Sequence, residues 1–468
     1  MSLSFFALVV ATSIAPTYLH AASTGGKCLK VGATQKTKGI IYVCAKYGKS
    51  LKWAKQKGTT GSAPVVDTIN QTTTTTPIEV YRAPTQSADS AEGCKLKDQS
   101  YERRVYGNLQ AGFPPMEKNF AKSGVFKVAL IPIDFADLPG EPDPLDRVKE
   151  QMQLFTDFWD MVTEGKVRFE WSTYNGWVRV PGQVNRFYQA RSGAVQYSIA
   201  TESLAAADPI FDFSGIRAVF FILPKTQTTI GESVQGFLHS PFGSSGGYKT
   251  SEGTIYNFAL AGQYFDQQYK TIWSYWVHET GHMFPLPDLY LQSEQYGAGD
   301  FPIPGGPFSG FDIMANQDGP SRTLSSWLRF IQGWMSDSQV YCKSFDGLIP
   351  TQVMLNPIDN RTSGLKAVMI HTSPTRLVVV ESRRPNKFDC LPSNRSGVIV
   401  YTVDTTLGHG EGLQRLVAPV SRGLKNYDNC TAPPQLDAIM LAGDSVVSDG
   451  VKIKVVKIGT YDTVEISR

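Results

Sequence analysis

Histidine is scarce in this chain, six residues in 468, and charge is sparse as well, with 19% Asp, Glu, Lys and Arg and a formal net charge of +3. So near-neutral a balance lacks the concentrated basic surface of a nucleic-acid binder, which excludes nucleic acid as a partner of the whole chain. Beyond residue 22 no stretch reaches the roughly 20 apolar residues needed to cross a bilayer, so no stable membrane span is expected in the mature chain. No cysteine sits in a CxxC pair, which argues against a cysteine-held structural zinc and against thiol redox work. No repeat of solenoid length is evident either.

What is present divides the chain into parts. Residues 1–22 carry an apolar run from Leu3 to Pro16 followed by Ala21 and Ala22, the pattern of a secretory signal peptide, although no Lys or Arg precedes the run. A secreted or cell-surface protein is expected. The six cysteines, Cys28, Cys44, Cys94, Cys342, Cys390 and Cys430, fit an oxidising compartment and read as three disulfides. Residues 26–58 hold nine lysines and no acidic residue, and read as a small hairpin module closed by Cys28 with Cys44. Clustered lysines attract polyanions, so an anionic cell-wall polymer is its expected partner, with a merely solvated basic face as the alternative. Residues 59–93, rich in Thr, Ser, Pro and Gln, read as a flexible linker.

The main body spans two further regions. Over residues 94–340, Gly124 to Phe135 is a β-rich apolar run, and Val148, Met152, Phe155, Trp159 and Val162 recur at helical spacing. Lys166 to Pro181 and Ile216 to Pro224 read as strands around a helix at Val195 to Ala206, and Tyr264 to Met283 reads as a further helix. Strands alternating with helices predict an α/β (α+β) domain, a sheet covered by helices. Over residues 341–468, short β-type runs at Ala367 to His371, Leu377 to Glu381, Gly397 to Asp404 and Val451 to Ile458 predict an all-β, sandwich-like domain.

The chemistry is carried by His278-Glu279-Thr280-Gly281-His282, an HExxH motif on a predicted helix. A spacing of four puts both imidazoles on one face, able to reach a single ion. Glu279 is placed to take a proton from a metal-activated water. Gly281 costs roughly 1 kcal/mol relative to alanine in a helix, which implies close approach of another segment. A catalytic zinc has three protein ligands and an open position. Pro285 and Pro287 end the helix near Met283, and Asp288 is the first carboxylate beyond the turn, able to swing back under the imidazoles or to serve as a turn or cap residue. Glu294, acting from a later helix, is the alternative third ligand.

The stretch from His278 to Tyr290, followed by Gly310-Phe311-Asp312-Ile313-Met314-Ala315, resembles the metzincin layout in its aspartate-ligand form, and more narrowly the immune inhibitor A family of bacterial metallopeptidases. Further likeness lies in Thr163 to Arg168, Gly176 to Val178, Gly333-Trp334, Val380 to Arg383 and Ser396 to Asp404. The resemblance implies a metzincin-like zinc peptidase domain, with His278, His282 and Asp288 as metal ligands, Glu279 as general base and Met314 in a Met-turn forming a floor beneath the metal. It also implies Ca2+ as a second cofactor, with no EF-hand or repeat-type loop to name its ligands. Pro285 departs from the family pattern, which has glycine there.

The function expected is hydrolysis of peptide bonds in extracellular proteins. Tyr290 and His239 are candidates by residue type for stabilising the oxyanion. Two other readings compete. One is a non-catalytic exported protein that keeps a metal site and binds a surface polymer, against which Glu279 argues. The other is a zinc hydrolase of wall peptides or glycans.

Overall fold

The computed structural model describes residues 34–37, 40–47, 50–55, 79–100, 109–116, 120–187, 193–226, 247–261, 271–292, 306–419, 422–427 and 434–468. One unit, Met1–Pro77, contains an antiparallel sheet of β1 (Thr34–Thr37), β2 (Ile40–Tyr47) and β3 (Ser50–Lys55). Cys44 lies opposite Trp53 in the β2–β3 register, and it is buried and disulfide-bonded. The pairing expected with Cys28 lies outside the described residues.

The second unit, Ile78–Arg468, begins with a mixed α/β layer. Its elements are β4 (Gly124–Asp134), α1 (Lys149–Val162), β5 (Val167–Thr173), β6 (Val178–Arg179), α2 (Gly193–Ala207), β7 (Ile216–Ile222), β8 (Tyr248–Lys249), β9 (Thr254–Ile255), β10 (Phe258–Ala261), α3 (Ile272–Met283) and α4 (Ser326–Ile331). The sheet order is β10-β7-β4-β5 with β6 beside the end of β4, and all these pairings are parallel. Parallel strands are covered on both faces, which is why β4 and β7 are near-continuous apolar runs rather than alternating ones. Val128, Leu130, Phe220 and Ile222 share a core with α1 and α3, while Ala129, Ile131, Val219 and Phe221 share another with Ile199 and Leu204 of α2. On α1, Phe155, Phe158, Trp159 and Val162 are the buried positions, one stripe of a 3.6-residue helix.

The remaining strands are β11 (Val340–Ser344), β12 (Thr351–Leu355), β13 (Ala367–Ser373), β14 (Arg376–Arg383), β15 (Gly397–Asp404), β16 (Gln414–Val417), β17 (Leu424–Lys425), β18 (Gln435–Leu436), β19 (Ser445–Ser448), β20 (Val451–Lys457) and β21 (Asp462–Ser467). Sheet β11-β13-β14-β15-β16 packs on sheet β12-β21-β20-β19 through Val368, Ile370, Val378, Val400, Ile453 and Val464, forming a sandwich. The opposite face of the first sheet contributes Ala367, Met369, Val379 and Tyr401 to the core that holds α1 and α3. The two regions expected to divide near residue 340 therefore share one buried interior.

Residues 79–93, read from composition as the end of a flexible linker, instead run along the sandwich. Thr85 N donates to Gln352 O at 3.2 Å, Asp89 N donates to Cys342 O at 2.8 Å, and Lys343 Nζ meets Asp89 Oδ1 at 2.7 Å. Cys94–Cys342 then closes a disulfide across a sequence separation of 248. Backbone donors and one cystine hold what apolar burial alone would not. Among the described residues, no helix is long and apolar enough to cross a membrane.

Candidate metal centre

Every residue of α3 is buried except Glu279 and His282, which are part-exposed. The two imidazole centroids lie 5.1 Å apart, as a spacing of four residues dictates. The helix stops at Met283 because Pro285 has no N–H to continue it. Leu286 N instead donates back to Gly281 O at 2.9 Å. Phe284 is clamped among Trp159, Phe120 and Trp334 at centroid distances of 4.9, 5.2 and 5.2 Å. The turn contains no left-handed residue, so proline is accommodated where the family pattern has glycine.

That turn returns Asp288 to the imidazoles. Its Oδ1 lies 3.1 Å from His278 Nε2 and 3.4 Å from His282 Nε2, and the three ligand atoms lie within 4.8 Å of one another. His278 Nδ1 is 2.9 Å from Ile313 O and His282 Nδ1 is 2.8 Å from Leu286 O. Carbonyl oxygens only accept, so both Nδ1 atoms carry hydrogen and both neutral rings turn a bare Nε2 lone pair towards Asp288. Asp288 Oδ1 is buried and has no hydrogen-bond partner of good geometry. Two lone pairs and a carboxylate oxygen so aimed repel one another unless a cation, either a proton or a metal ion, sits among them. The donor set therefore fits a metal ion.

The electrostatics agree. Burial alone would push the His278 imidazole down, yet the Asp288 carboxylate beside it, with Glu279, holds it up to about 9. Burial likewise opposes the charge on Asp288, but the facing imidazoles of His282 and His278 hold it well below the usual carboxylate range. Tyr290 is stacked at 6.4 Å and 20° to the His278 ring, and its hydroxyl is pushed up by burial, then by Asp288 and Glu279, so it stays protonated as a donor beside the centre. His239 and Glu294 lie outside the described residues.

Met314 is fully buried beneath the helix, and its sulfur lies 2.5 Å from where a Cβ on Gly281 would stand. The close approach expected at Gly281 is thus made by Met314. Its loop is held by Asp312, whose carboxylate accepts from Met314 N at 2.8 Å and Ser325 N at 2.6 Å, and which burial pushes up to about 6. Among the described residues, His278, His282 and Asp288 are the one cluster of three or more His, Cys, Asp or Glu side chains close enough to share an ion, and none stands out for calcium.

One residue at the centre went unnoticed in the sequence. His409 Nδ1 accepts from Asp288 N at 2.9 Å, its Nε2 lies 3.4 Å from Asp288 Oδ2, and its ring is 5.7 Å from that of His282. Gln292 Nε2 donates to the same Oδ2 at 2.9 Å and lies 2.8 Å from His409 Nε2. The available signal was weak: a rare histidine set between Gly408 and Gly410.

No protein-family model matches the chain, and no curated protein matches it. Among solved structures it is similar to the crystal structure of wild-type OgpA from Akkermansia muciniphila, at 12% identity and a TM-score of 0.27, covering 66% of this chain and 96% of that one. It is also similar to catalytically inactive OgpA from the same organism in complex with an O-glycopeptide substrate, glycodrosocin, at 12% identity and a TM-score of 0.26, with 66% and 96% covered. Likeness at that level names no family and assigns no activity. The resemblance to immune inhibitor A remains one of short motifs.

Proposed function

We propose that the chain is a secreted zinc-dependent endopeptidase of the metzincin type, cleaving peptide bonds of extracellular proteins. The observation that carries this reading is the convergence of His278 Nε2, His282 Nε2 and Asp288 Oδ1, with the part-exposed Glu279 next to His278 on the same helix. Those three residues would hold the ion, which supplies Lewis acidity to the scissile carbonyl and makes water a nucleophile near neutral pH. Glu279 accepts the proton of the attacking water and passes it to the leaving amine, acting first as base and then as acid. Tyr290, kept protonated, is the donor we assign to the developing oxyanion.

Export is supported by the disulfides of Cys44, Cys94, Cys342 and Cys390. Attachment to an anionic wall polymer rests on the nine lysines of residues 26–58 alone. The test is casein cleavage by the purified chain, alone, with chelator, and as Glu279→Gln, together with metal analysis of His282→Ala. Cleavage lost in both controls, with metal lost from His282→Ala, is the expected result. Cleavage indifferent to both would refute the reading, and metal without cleavage would favour the non-catalytic surface protein.

A further inference from the structure

The segment that carries Asp288 has no regular secondary structure of its own. Its main chain is instead matched to residues 408–412, in the connection between β15 and β16 of the sandwich. Gly410 N donates to Asp288 O at 3.0 Å, Gln292 N donates to Gly410 O at 3.0 Å, and Leu291 bridges Glu411 in antiparallel fashion. The glycines of this connection are required by closeness. A Cβ at Gly410 would stand 2.5 Å from Gln292 Cγ, and at Gly408 it would stand 2.9 Å from Ser100 Oγ, while Gly410 and Gly412 have φ of 69° and 76°.

Between those glycines His409 reaches the ligand itself. The Asp288 amide is an obligate donor, so its 2.9 Å contact makes Nδ1 the acceptor, while the other ring nitrogen, Nε2, lies 3.4 Å from Asp288 Oδ2 and 2.8 Å from Gln292 Nε2, which donates to that same Oδ2 at 2.9 Å. A group engaging Oδ2 leaves Oδ1 as the oxygen turned to His278 and His282. We propose that His409 is a positioning residue for the third metal ligand: by taking the Asp288 amide and facing Oδ2, it fixes the carboxylate so that Oδ1 completes the ligand set. The sandwich thereby supplies part of the centre's outer shell, beyond covering the apolar face of the α/β layer. Outer-shell partners of this kind set metal affinity by about 10–100-fold.

The inference rests on the metal-centre reading above, and the experiment separates the two. Zinc affinity is measured by competition with a chromophoric chelator for the full chain, His409→Leu and His409→Asn, with thermal unfolding of each metal-free form. Leucine fills the space without accepting, whereas asparagine offers an oxygen where Nδ1 stands. The expected result is a 10–100-fold weaker affinity for His409→Leu and recovery of most of that loss in His409→Asn. Equal affinity in the full chain and His409→Leu overturns the inference and leaves the metal centre standing, as does an equal weakening in both variants. If His409→Leu does not fold, His409→Gln, which carries its polar atoms past the Nδ1 position, replaces it, and affinity no weaker than that of His409→Asn overturns the inference. A full chain that binds no zinc overturns both readings.

Discussion

Gly281 and Met314 meet so closely that an added methyl group would stand 2.5 Å from the methionine sulfur and 3.1 Å from its terminal carbon. Met314 is fully buried and cannot swing into solvent. Gly281→Ala should therefore lower stability by about 1–3 kcal/mol through overpacking, despite the better helix propensity of alanine. Combining it with Met314→Ala should cost less than the sum of the single changes, by about 0.5–3 kcal/mol in thermal or urea unfolding. Strict additivity would show that the contact is not limiting.

Glu279→Gln keeps the shape of the residue and removes its basicity. Since the metal is assigned to His278, His282 and Asp288, zinc content should be unchanged while peptide hydrolysis falls by about 100- to 10,000-fold. Zinc analysis and single-substrate kinetics on one preparation decide it.

Metal uptake should depend on pH with a definite sign. In the metal-free protein His278 is held up to about 9, so at neutral pH the centre carries a proton that an incoming ion must displace. Zinc affinity should rise by about tenfold per pH unit from pH 7 towards 9 and then level, with close to one proton released at pH 7. Calorimetry in buffers of different ionisation enthalpy reads both, and an affinity flat over that range would contradict the assigned proton.

Asp389 bears on stability rather than chemistry. The residue as a whole is only partly buried, but its Oδ2 is enclosed without a hydrogen-bond partner, and burial, then the charge of Asp359, pushes the group up to about 8. Between pH 4 and 8 the folded chain holds a proton that the unfolded chain has released, so this group's contribution to stability is present at the acid end and is lost as pH rises towards 8. Asp389→Asn removes the titration. Its melting temperature relative to wild type should climb from pH 5 to pH 8, and a constant difference would disprove the shift.

The Cys94–Cys342 disulfide ties the strap at residues 79–94 to the sandwich across 248 residues of sequence. Replacing both cysteines with alanine should lower stability by about 2–5 kcal/mol, seen as a drop in melting temperature.

Sequence legibility followed the range of the interactions. The placement of His278, Glu279 and His282 is a matter of four residues on one helix, and Pro285 with Pro287 marked the helix end that returns Asp288. The α1 stripe was visible because Phe155, Trp159 and Val162 repeat with the helical period. By contrast, Asp288 meets His409 across 121 residues, and no local period announces such a meeting. β10, only Phe258–Ala261 and buried throughout, is too short to separate from a buried turn. Residues 79–93 misled because their polar composition speaks of solvent, whereas their backbone donors and Asp89 are held by the sandwich.

Ribosomes deliver a chain from its amino end, so the HExxH helix emerges well before the connection from Gly408 to Gly412 that cradles Asp288. A nascent or truncated product would hold two imidazoles and an unsteadied carboxylate, a poor grip for any dication. Under the proposed function, hydrolytic competence would then arrive last, once the carboxyl-terminal layer has docked.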